Sequence, residues 1–310
     1  MLISNRRKLM LYFANKKKFF YTIIALFFCM LLTAACKSET GDVLSDIYIV
    51  DDRHMNCSFD GIRHELILDL PEETKGVPLI LMLHGYGNNA ESFREMVHIE
   101  EEALKCGYAV VYVTGACETN DATSSLGWNS GIGNGLNRDV EFLCAVVSYM
   151  EEVYGFDSDS TYAVGFSNGA FMTHRLAMEG SDTFEAFVSV AGKMPQAIWE
   201  QRNPVNDISF FQITGSKDDV IPKNSDDTAK YAKDPAIETV MTYWAESNGL
   251  HETKEIYVGE KASLTKYYSL NQSNQVWSLW VEDGRHAWPD KDINGISVNL
   301  LIMEFLDEIG

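Results

Sequence analysis

Continuous apolar runs alternate with amphipathic stretches along most of this chain. The run at 77–83 is apolar throughout, which is typical of a strand buried on both faces of a sheet. Helical periodicity predicts helices over 90–106, 138–154, 170–178 and 236–248, and a closing helix over 297–309. Strand candidates begin at Asp46, Ile62, Val77, Tyr108, Thr161, Phe184, Ile208 and Val276. This alternation predicts an α/β fold in which helices flank a mostly parallel central sheet within a single domain, with extra edge strands between 254 and 270.

The most informative motif is Gly-Phe-Ser-Asn-Gly at 165–169, directly after a strand candidate. A strand that turns sharply through Gly-x-Ser-x-Gly into a helix presents the serine hydroxyl above the sheet edge. The two glycines allow the close backbone approach that such a turn requires. The motif predicts Ser167 as a nucleophile, in the manner of the α/β-hydrolase fold.

Later loops supply the partners that such a serine needs, in the chain order serine, acid, histidine. A strand candidate at 208–214 ends in a loop that contains Asp218 and Asp219. The strand candidate at 275–281 is followed by His286, the predicted base. The residues therefore predict acyl transfer through a Ser-His-Asp triad, which requires no metal or organic cofactor.

An oxyanion hole is predicted from two backbone N–H groups. One belongs to Asn168, the residue after the nucleophile, and the other lies near Tyr86 in the His-Gly-Tyr-Gly segment at 84–87. His84 in the same segment is predicted to fix the loop rather than to act as a second base. His174 is predicted to be a packing or hydrogen-bonded residue of the helix after the motif.

Several further segments extend this pattern. They lie at 78–87, 127–129, 138–143, 162–172, 187–192 and 286–289, together with the spacing Gly215-x-x-Asp218-x-x-x-Pro222. On these residues the chain resembles the secreted esterases that group feruloyl and acetylxylan esterases (carbohydrate esterase family one) with poly(3-hydroxybutyrate) depolymerases. The resemblance covers roughly residues 60 to 308. Its spacing selects Asp218 over Asp219 as the acid.

The resemblance implies hydrolysis of feruloyl or acetyl esters of xylan. It also implies that Trp128 and Trp288 line the acyl or sugar pocket, and ordinary aromatic packing is the alternative for both residues. Family members often carry histidine where this chain has Thr214, and a cysteine-containing segment where it has 130–135. A hydroxybutyrate or hydroxyalkanoate oligomer depolymerase is the alternative. A prolyl-oligopeptidase-like serine peptidase and a non-catalytic envelope binding protein are further alternatives.

The N-terminus has the layout of an export signal. Six basic and no acidic residues occur within the first 35, and a mostly apolar stretch runs from 19 to 35. Small residues precede Cys36, as in a bacterial lipobox, so we expect lipid attachment at Cys36 to hold the protein on a bacterial membrane. The predicted organisation is a signal peptide over 1–35, a tether over 36–45 and a catalytic domain over 46–310. An uncleaved anchor and ordinary cleavage near Ala35 are alternatives, and all three export the domain to the cell envelope or beyond.

The net charge of the chain limits the classes of partner and substrate that we expect it to bind. From Cys36 onward, 19 Lys and Arg stand against 45 Asp and Glu, a net charge of −26. Such a surface repels nucleic acid and polyanionic substrates at long range, which favours neutral esters.

Four cysteines outside the N-terminal segment have no metal-site spacing, and they predict either two disulfides or buried free thiols; these are Cys57, Cys106, Cys117 and Cys144. The glutamate run at 100–102 predicts a solvated helix face.

Overall fold

An eleven-stranded sheet forms the centre of the structure, in the order β1-β2-β3-β5-β4-β6-β7-β8-β11-β10-β9. The strands are β1 (Ser45–Ile49), β2 (His54–Phe59), β3 (Ile62–Asp69), β4 (Leu79–Leu83), β5 (Ala109–Val113), β6 (Thr161–Phe166), β7 (Ala186–Val190), β8 (Ser209–Gly215), β9 (Glu252–Val258), β10 (Ala262–Tyr268) and β11 (Val276–Val281). This computed structural model describes residues 42–116, 125–132, 137–203, 207–223, 231 and 233–310. The predicted signal peptide, Cys36 and Cys117 lie outside the described residues.

The middle of the sheet is parallel and both ends are antiparallel. Strands β5, β4, β6, β7, β8 and β11 pair in parallel in that order. Strands β1 to β3 form an antiparallel start, and β10 and β9 continue antiparallel from β11. The predicted α/β fold with a mostly parallel sheet is confirmed. The extra strands predicted between 254 and 270 are β9 and β10, and β9 begins slightly earlier, at Glu252.

Helices cover both faces of the sheet. They are α1 (Ala90–Val97), α2 (Glu100–Ala103), α3 (Asp139–Tyr154), α4 (Asn168–Glu179), α5 (Gln196–Gln201), α6 (Ile237–Ser247), α7 (Lys291–Asn294) and α8 (Val298–Ile309). A 3₁₀ turn follows α2 at Leu104–Cys106. Residues 42–310 form one compact unit. Among the described residues, no helix has both the length and the apolar composition that a bilayer span needs.

Alternation along the central strands divides the core between the two faces. Leu79, Leu81 and Leu83 of β4 belong to one cluster, and Ile80 and Met82 belong to the other. All five side chains are fully buried, as the continuous apolar run predicts. Each face of the central strands therefore carries its own apolar cluster.

The predicted helix over 90–106 is wrong as one element. His98 adopts a left-handed conformation with φ +48°, which ends α1. The predicted solvated face at 100–102 is also partly wrong, because Glu100 is buried. Its carboxylate accepts a hydrogen bond from the Tyr112 hydroxyl at 2.5 Å and lies 3.2 Å from Arg94. The hydrogen bond to buried Tyr112 thus keeps Glu100 in the interior, although its charged neighbours in the run predict exposure.

The cysteines whose structure is described are free thiols. Cys57 is buried, Cys144 is half-buried and Cys106 is exposed. The expectation of two disulfides is therefore wrong. The alternative of buried free thiols holds fully for Cys57 and in part for Cys144, whereas the Cys106 thiol is free but exposed.

His174 on α4 is enclosed between helix and sheet, as expected for a packing residue. Its ring stacks on Phe210 at 4.5 Å, and its Nε2 lies 3.1 Å from Gln212 Oε1. Burial lowers the pKa of His174 from 6.5 to about 3, against a smaller opposing effect of the bond to Gln212. The folded protein thus keeps His174 neutral well below the pH at which the unfolded chain protonates it.

We expect this histidine to make the fold sensitive to acid. A lowered pKa gives a stabilising contribution that is complete above pH 6.5 and is lost as the pH falls toward 3. The loss amounts to at most about 1.4 kcal/mol per pH unit for one group. Urea unfolding at pH 7 and pH 5 measures it, with His174→Phe as the non-titrating comparison. The variant should lose less unfolding free energy between the two pH values, and equal losses in both proteins would contradict the assignment.

Candidate active site

The sharp turn between β6 and α4 holds Ser167 in a strained backbone conformation. Its φ is +52° and its ψ is −114°, a combination that residues with a Cβ rarely adopt. A side chain on Gly165 would collide with the backbone carbonyl of Gly169, and one on Gly169 would collide with the carbonyl of Leu83. Glycine at both positions is what allows β4, β6 and α4 to meet around the serine.

Ser167, His286 and Asp218 form a continuous hydrogen-bonded chain. The Ser167 hydroxyl donates to Nε2 of His286 at 2.9 Å, and Nδ1 of His286 donates to Oδ2 of Asp218 at 2.9 Å. The other carboxylate oxygen of Asp218 accepts from the backbone N–H groups of Val220 at 2.9 Å and Ile221 at 2.7 Å. Asp218 is buried, which fixes the carboxylate in one orientation.

The acid loop and the base loop are held together because β8 and β11 are parallel neighbours. Lys217 N donates to Gly284 O at 2.8 Å, and Ser216 N donates to Val281 O at 2.9 Å. An ion pair of 2.6 Å between Lys217 and Asp283 adds a second link at the surface. These bonds tie together two loops that lie far apart in sequence, which keeps the acid and the base in register.

The segment after His286 is anchored beneath the imidazole. The Phe166 ring lies 5.3 Å from the His286 ring, and the Trp288 ring packs 6.4 Å from Phe166. Trp288 Nε1 donates to Asn299 Oδ1 at 2.9 Å, and Asn299 Nδ2 in turn donates to Val97 O at 2.7 Å. This arrangement limits how far the base can swing from the serine.

His84 fixes the loop that is predicted to supply one oxyanion donor. Its Nδ1 donates to Gly85 O at 2.7 Å, and its Nε2 accepts from Gly115 N at 2.9 Å. Burial lowers the pKa of His84 from 6.5 to about 4, against the smaller effect of the bond to Gly85. The ring is therefore neutral and carries its proton on Nδ1. A Cβ added to Gly85 would lie 3.3 Å from Cβ of Ser167, so this loop lies directly against the nucleophile.

Asn168 ties the start of α4 to the loop at 127–130. Its Oδ1 accepts from Trp128 N at 2.7 Å, and its Nδ2 donates to Trp128 O at 3.3 Å and to Ser130 Oγ at 3.1 Å. The side chain thus positions the loop, while the backbone N–H at this position is the predicted oxyanion donor. Asp139 at the start of α3 braces the same loop by accepting from Asn129 N at 2.6 Å.

The two tryptophans expected at the substrate are buried. Trp128 is fully enclosed, and its Nε1 donates to His84 O at 2.9 Å. Trp288 is 7% exposed and belongs to the core under His286. The prediction that these indoles contact substrate does not fit their burial, because each is used to hold a loop of the site from behind.

The motif predicts a role only for the backbone near Tyr86, whereas the structure also places an exposed aromatic side chain at the site. The Tyr86 side chain is 55% exposed. Its ring packs on Gly127, where an added Cβ would be 3.1 Å from both Tyr86 Cδ2 and Asn168 Oδ1. The ring therefore borders the site on the side of the oxyanion loop. The signal in the sequence is an aromatic residue between the two glycines of that loop.

Comparison with known proteins gives one family and several similar esterases. The family model described as Serine hydrolase (FSH1) matches residues 76–246. NocK of Nocardia uniformis subsp. tsuyamanensis, whose name includes the word esterase, is 29% identical over 71% of this chain and 67% of its own length. Feruloyl esterase B of Talaromyces funiculosus is 29% identical over 43% of this chain, and the match spans only 37% of that relative.

The fold likeness extends further than the sequence likeness. The structure of an acetyl xylan esterase from Aspergillus awamori superposes with a TM-score of 0.54 at 13% identity, covering 79% of this chain and 94% of that chain. At this identity the match establishes the fold alone. The relatives named feruloyl esterase and acetylxylan esterase confirm the predicted resemblance to that group.

Proposed function

Since the chain belongs to the serine hydrolase (FSH1) family and is a carboxylic ester hydrolase, we propose that it cleaves feruloyl or acetyl esters of plant xylan by a Ser-His-Asp mechanism. The observation that carries this mechanism is the unbroken hydrogen-bonded chain from Ser167 through His286 to Asp218. The substrate class is supported by relatives named feruloyl esterase and acetylxylan esterase. The acidic surface favours the neutral esters of xylan over polyanionic substrates.

In the first step His286 acts as general base. Its Nε2 takes the Ser167 proton as Oγ attacks the ester carbonyl, and the resulting imidazolium then donates that proton to the leaving alcohol. Asp218 holds the Nδ1–H tautomer and stabilises the imidazolium. Because the backbone N–H groups of Val220 and Ile221 fix the second carboxylate oxygen, Asp218 stays oriented toward His286 throughout.

The negative charge that develops on the carbonyl oxygen is held by backbone N–H groups. Asn168 is the first residue of α4, so its N–H lies at the positive end of the helix dipole. The second donor is the N–H near Tyr86 in the loop that His84 fixes. Each such donor typically contributes about 2.7–4 kcal/mol to transition-state stabilisation.

The second step releases the acid. His286 removes a proton from water, which attacks the acyl carbonyl and breaks its bond to Oγ, and the proton returns to Ser167. The mechanism as proposed balances with water as the only co-substrate. It assigns no role to a metal or an organic cofactor.

Acid release from three substrates tests this proposal: acetylated xylan, methyl ferulate and hydroxybutyrate oligomers. Turnover of either of the first two supports a polysaccharide esterase, whereas turnover confined to the third identifies a hydroxyalkanoate depolymerase. A fluorophosphonate probe should label Ser167 and no other serine, which peptide mass spectrometry detects. If the folded protein cleaves none of the three esters, peptide substrates or a binding role become the favoured alternatives. Labelling of a different serine by the fluorophosphonate probe would remove Ser167 from the mechanism.

Tyr86 is proposed to contact the ester through its exposed ring. We expect Tyr86→Ala to raise KM for methyl ferulate about tenfold, since lost aromatic contact is worth about 0.5–1.5 kcal/mol beyond area burial. The backbone N–H is retained in this variant, so kcat should change less than KM. Tyr257→Ala is the control, because Tyr257 is 80% exposed on β9. Equal kinetics for Tyr86→Ala and the control would show that the ring does not contact substrate.

A further inference from the structure

A polar cavity of about 230 Å³ lies between the sheet and the start of α6. Its floor follows the strand register: Thr214, Trp280 and Ser263 face one another across β8, β11 and β10. Ser278 and Thr265 form the next row of the same floor. Five side chains from three strands therefore converge on one space that the triad does not use.

The polarity of this floor is unusual for a sheet face covered by a helix. Such faces are normally apolar, as they are further along β8, where Phe210 packs against Trp244 of α6. Here Ser263, Thr265 and Ser278 are half-buried, so they are reachable from solvent. A roomy space lined by polar groups holds water or a ligand, whereas an apolar void stays dry.

The hydroxyl groups on the floor are available for a ligand. Within the described part of the chain, the side chains of Ser263, Thr265 and Ser278 have no hydrogen bond to another residue. Thr214 differs, because its Oγ1 accepts from Gln212 Nε2 at 3.1 Å. A hydroxyl both donates and accepts, so three open hydroxyls match a ligand that carries hydroxyls of its own.

Charge at the rim points to a neutral ligand. Lys223 and Glu238 both line the cavity, and their opposite charges give it no net sign. The Lys223 ammonium lies 4.4 Å from the Trp280 ring, which holds the cation at the wall. The volume is below the roughly 300–1,000 Å³ typical of sites for drug-sized ligands, so it suits one small ring.

We propose that this cavity is a binding subsite for a single neutral sugar ring. Thr214 and Trp280 lie near the carboxyl ends of the strands whose following loops carry Asp218 and His286. A saccharide bound here would lie behind those two loops. That the ring belongs to the carbohydrate part of the ester rests on the function proposed above.

Titration of the Ser167→Ala protein with xylose, a single neutral sugar ring, tests the subsite without any turnover. Binding is followed through the Trp280 indole signal in ¹H–¹⁵N spectra, with glucuronate as the charged comparison. The double variant Thr265→Val/Ser278→Ala removes two hydroxyls and no charge. We expect it to bind about tenfold more weakly, since two hydrogen bonds to the sugar are lost. Ser273→Ala, which removes an exposed hydroxyl outside the cavity on the same hairpin, should bind as before.

The proposal is overturned if xylose does not perturb Trp280, if glucuronate binds equally well, or if the double variant binds unchanged. Trp280→Leu is a second variant that should also weaken binding, in case the double variant does not fold. Methyl ferulate turnover, measured on proteins that keep the native Ser167, separates this proposal from the proposed function. An active esterase without xylose binding removes the subsite alone, and xylose binding without esterase activity removes the proposed function alone.

Discussion

Ser167→Ala is expected to lower kcat for ester hydrolysis by about 10⁴–10⁶-fold, because removal of a triad nucleophile leaves only binding and oxyanion stabilisation. The variant loses the hydroxyl that Nε2 of His286 accepts from and keeps the Cβ that packs against Gly85. Its unfolding free energy in urea should therefore stay close to that of the wild type. Acid release from whichever ester the native protein cleaves measures the effect. Turnover retained within tenfold in the variant would show that another group attacks the ester.

Asp218→Asn is expected to lower kcat by about 10⁴-fold, the effect known for the same change in a trypsin-type triad. An amide in place of the carboxylate stabilises the wrong imidazole tautomer and leaves the imidazolium without its counter-charge. Asp219→Asn is the matched control, since Asp219 is the adjacent residue and is exposed. Steady-state kinetics of both variants on one ester should show near-native activity for the control. The opposite result would place the acid one residue later in the chain.

The order and spacing of motifs predicted much of the site. The Gly-x-Ser-x-Gly turn and the loops after two later strands place Ser167, Asp218 and His286 within hydrogen-bond distance, as the parallel sheet requires. This works because the carboxyl ends of parallel strands meet at one edge of the sheet. The local sequence thus determines which residues can meet, even though they lie far apart along the chain.

The features that the sequence did not reveal depend on three-dimensional neighbours. Trp128 looks like a substrate residue by position, yet the carbonyl of His84 and the side chain of Asn168 hold it inside. Glu100 lies in a run of like charges, yet its carboxylate is buried, where it contacts the Tyr112 hydroxyl and the Arg94 guanidinium. Burial of such residues is decided by partners from other elements, which a one-dimensional pattern does not contain.

The cavity next to α6 illustrates the same limit. Its hydroxyls come from β10 and β11, whose pairing could not be determined from the sequence. Only the register of Ser263 with Trp280 and of Thr265 with Ser278 brings them onto one face. The alternation of polar and apolar residues indicates that one face of each strand is polar. It does not indicate that these polar faces enclose a space.

The backbone of Ser167 implies a trade between stability and activity. A residue held at φ +52° and ψ −114° costs about 1–3 kcal/mol, and this cost exists whether or not substrate is present. Glycine at 167 would adopt the turn without strain. The strain energy relieved in the folded state exceeds the roughly 0.4–1 kcal/mol of stability that is lost because glycine is more flexible in the unfolded chain. The most stable version of this turn is therefore one that cannot catalyse the reaction. Selection for thermal tolerance without selection for turnover would drive this position away from serine, so stabilising screens on this scaffold need an activity readout.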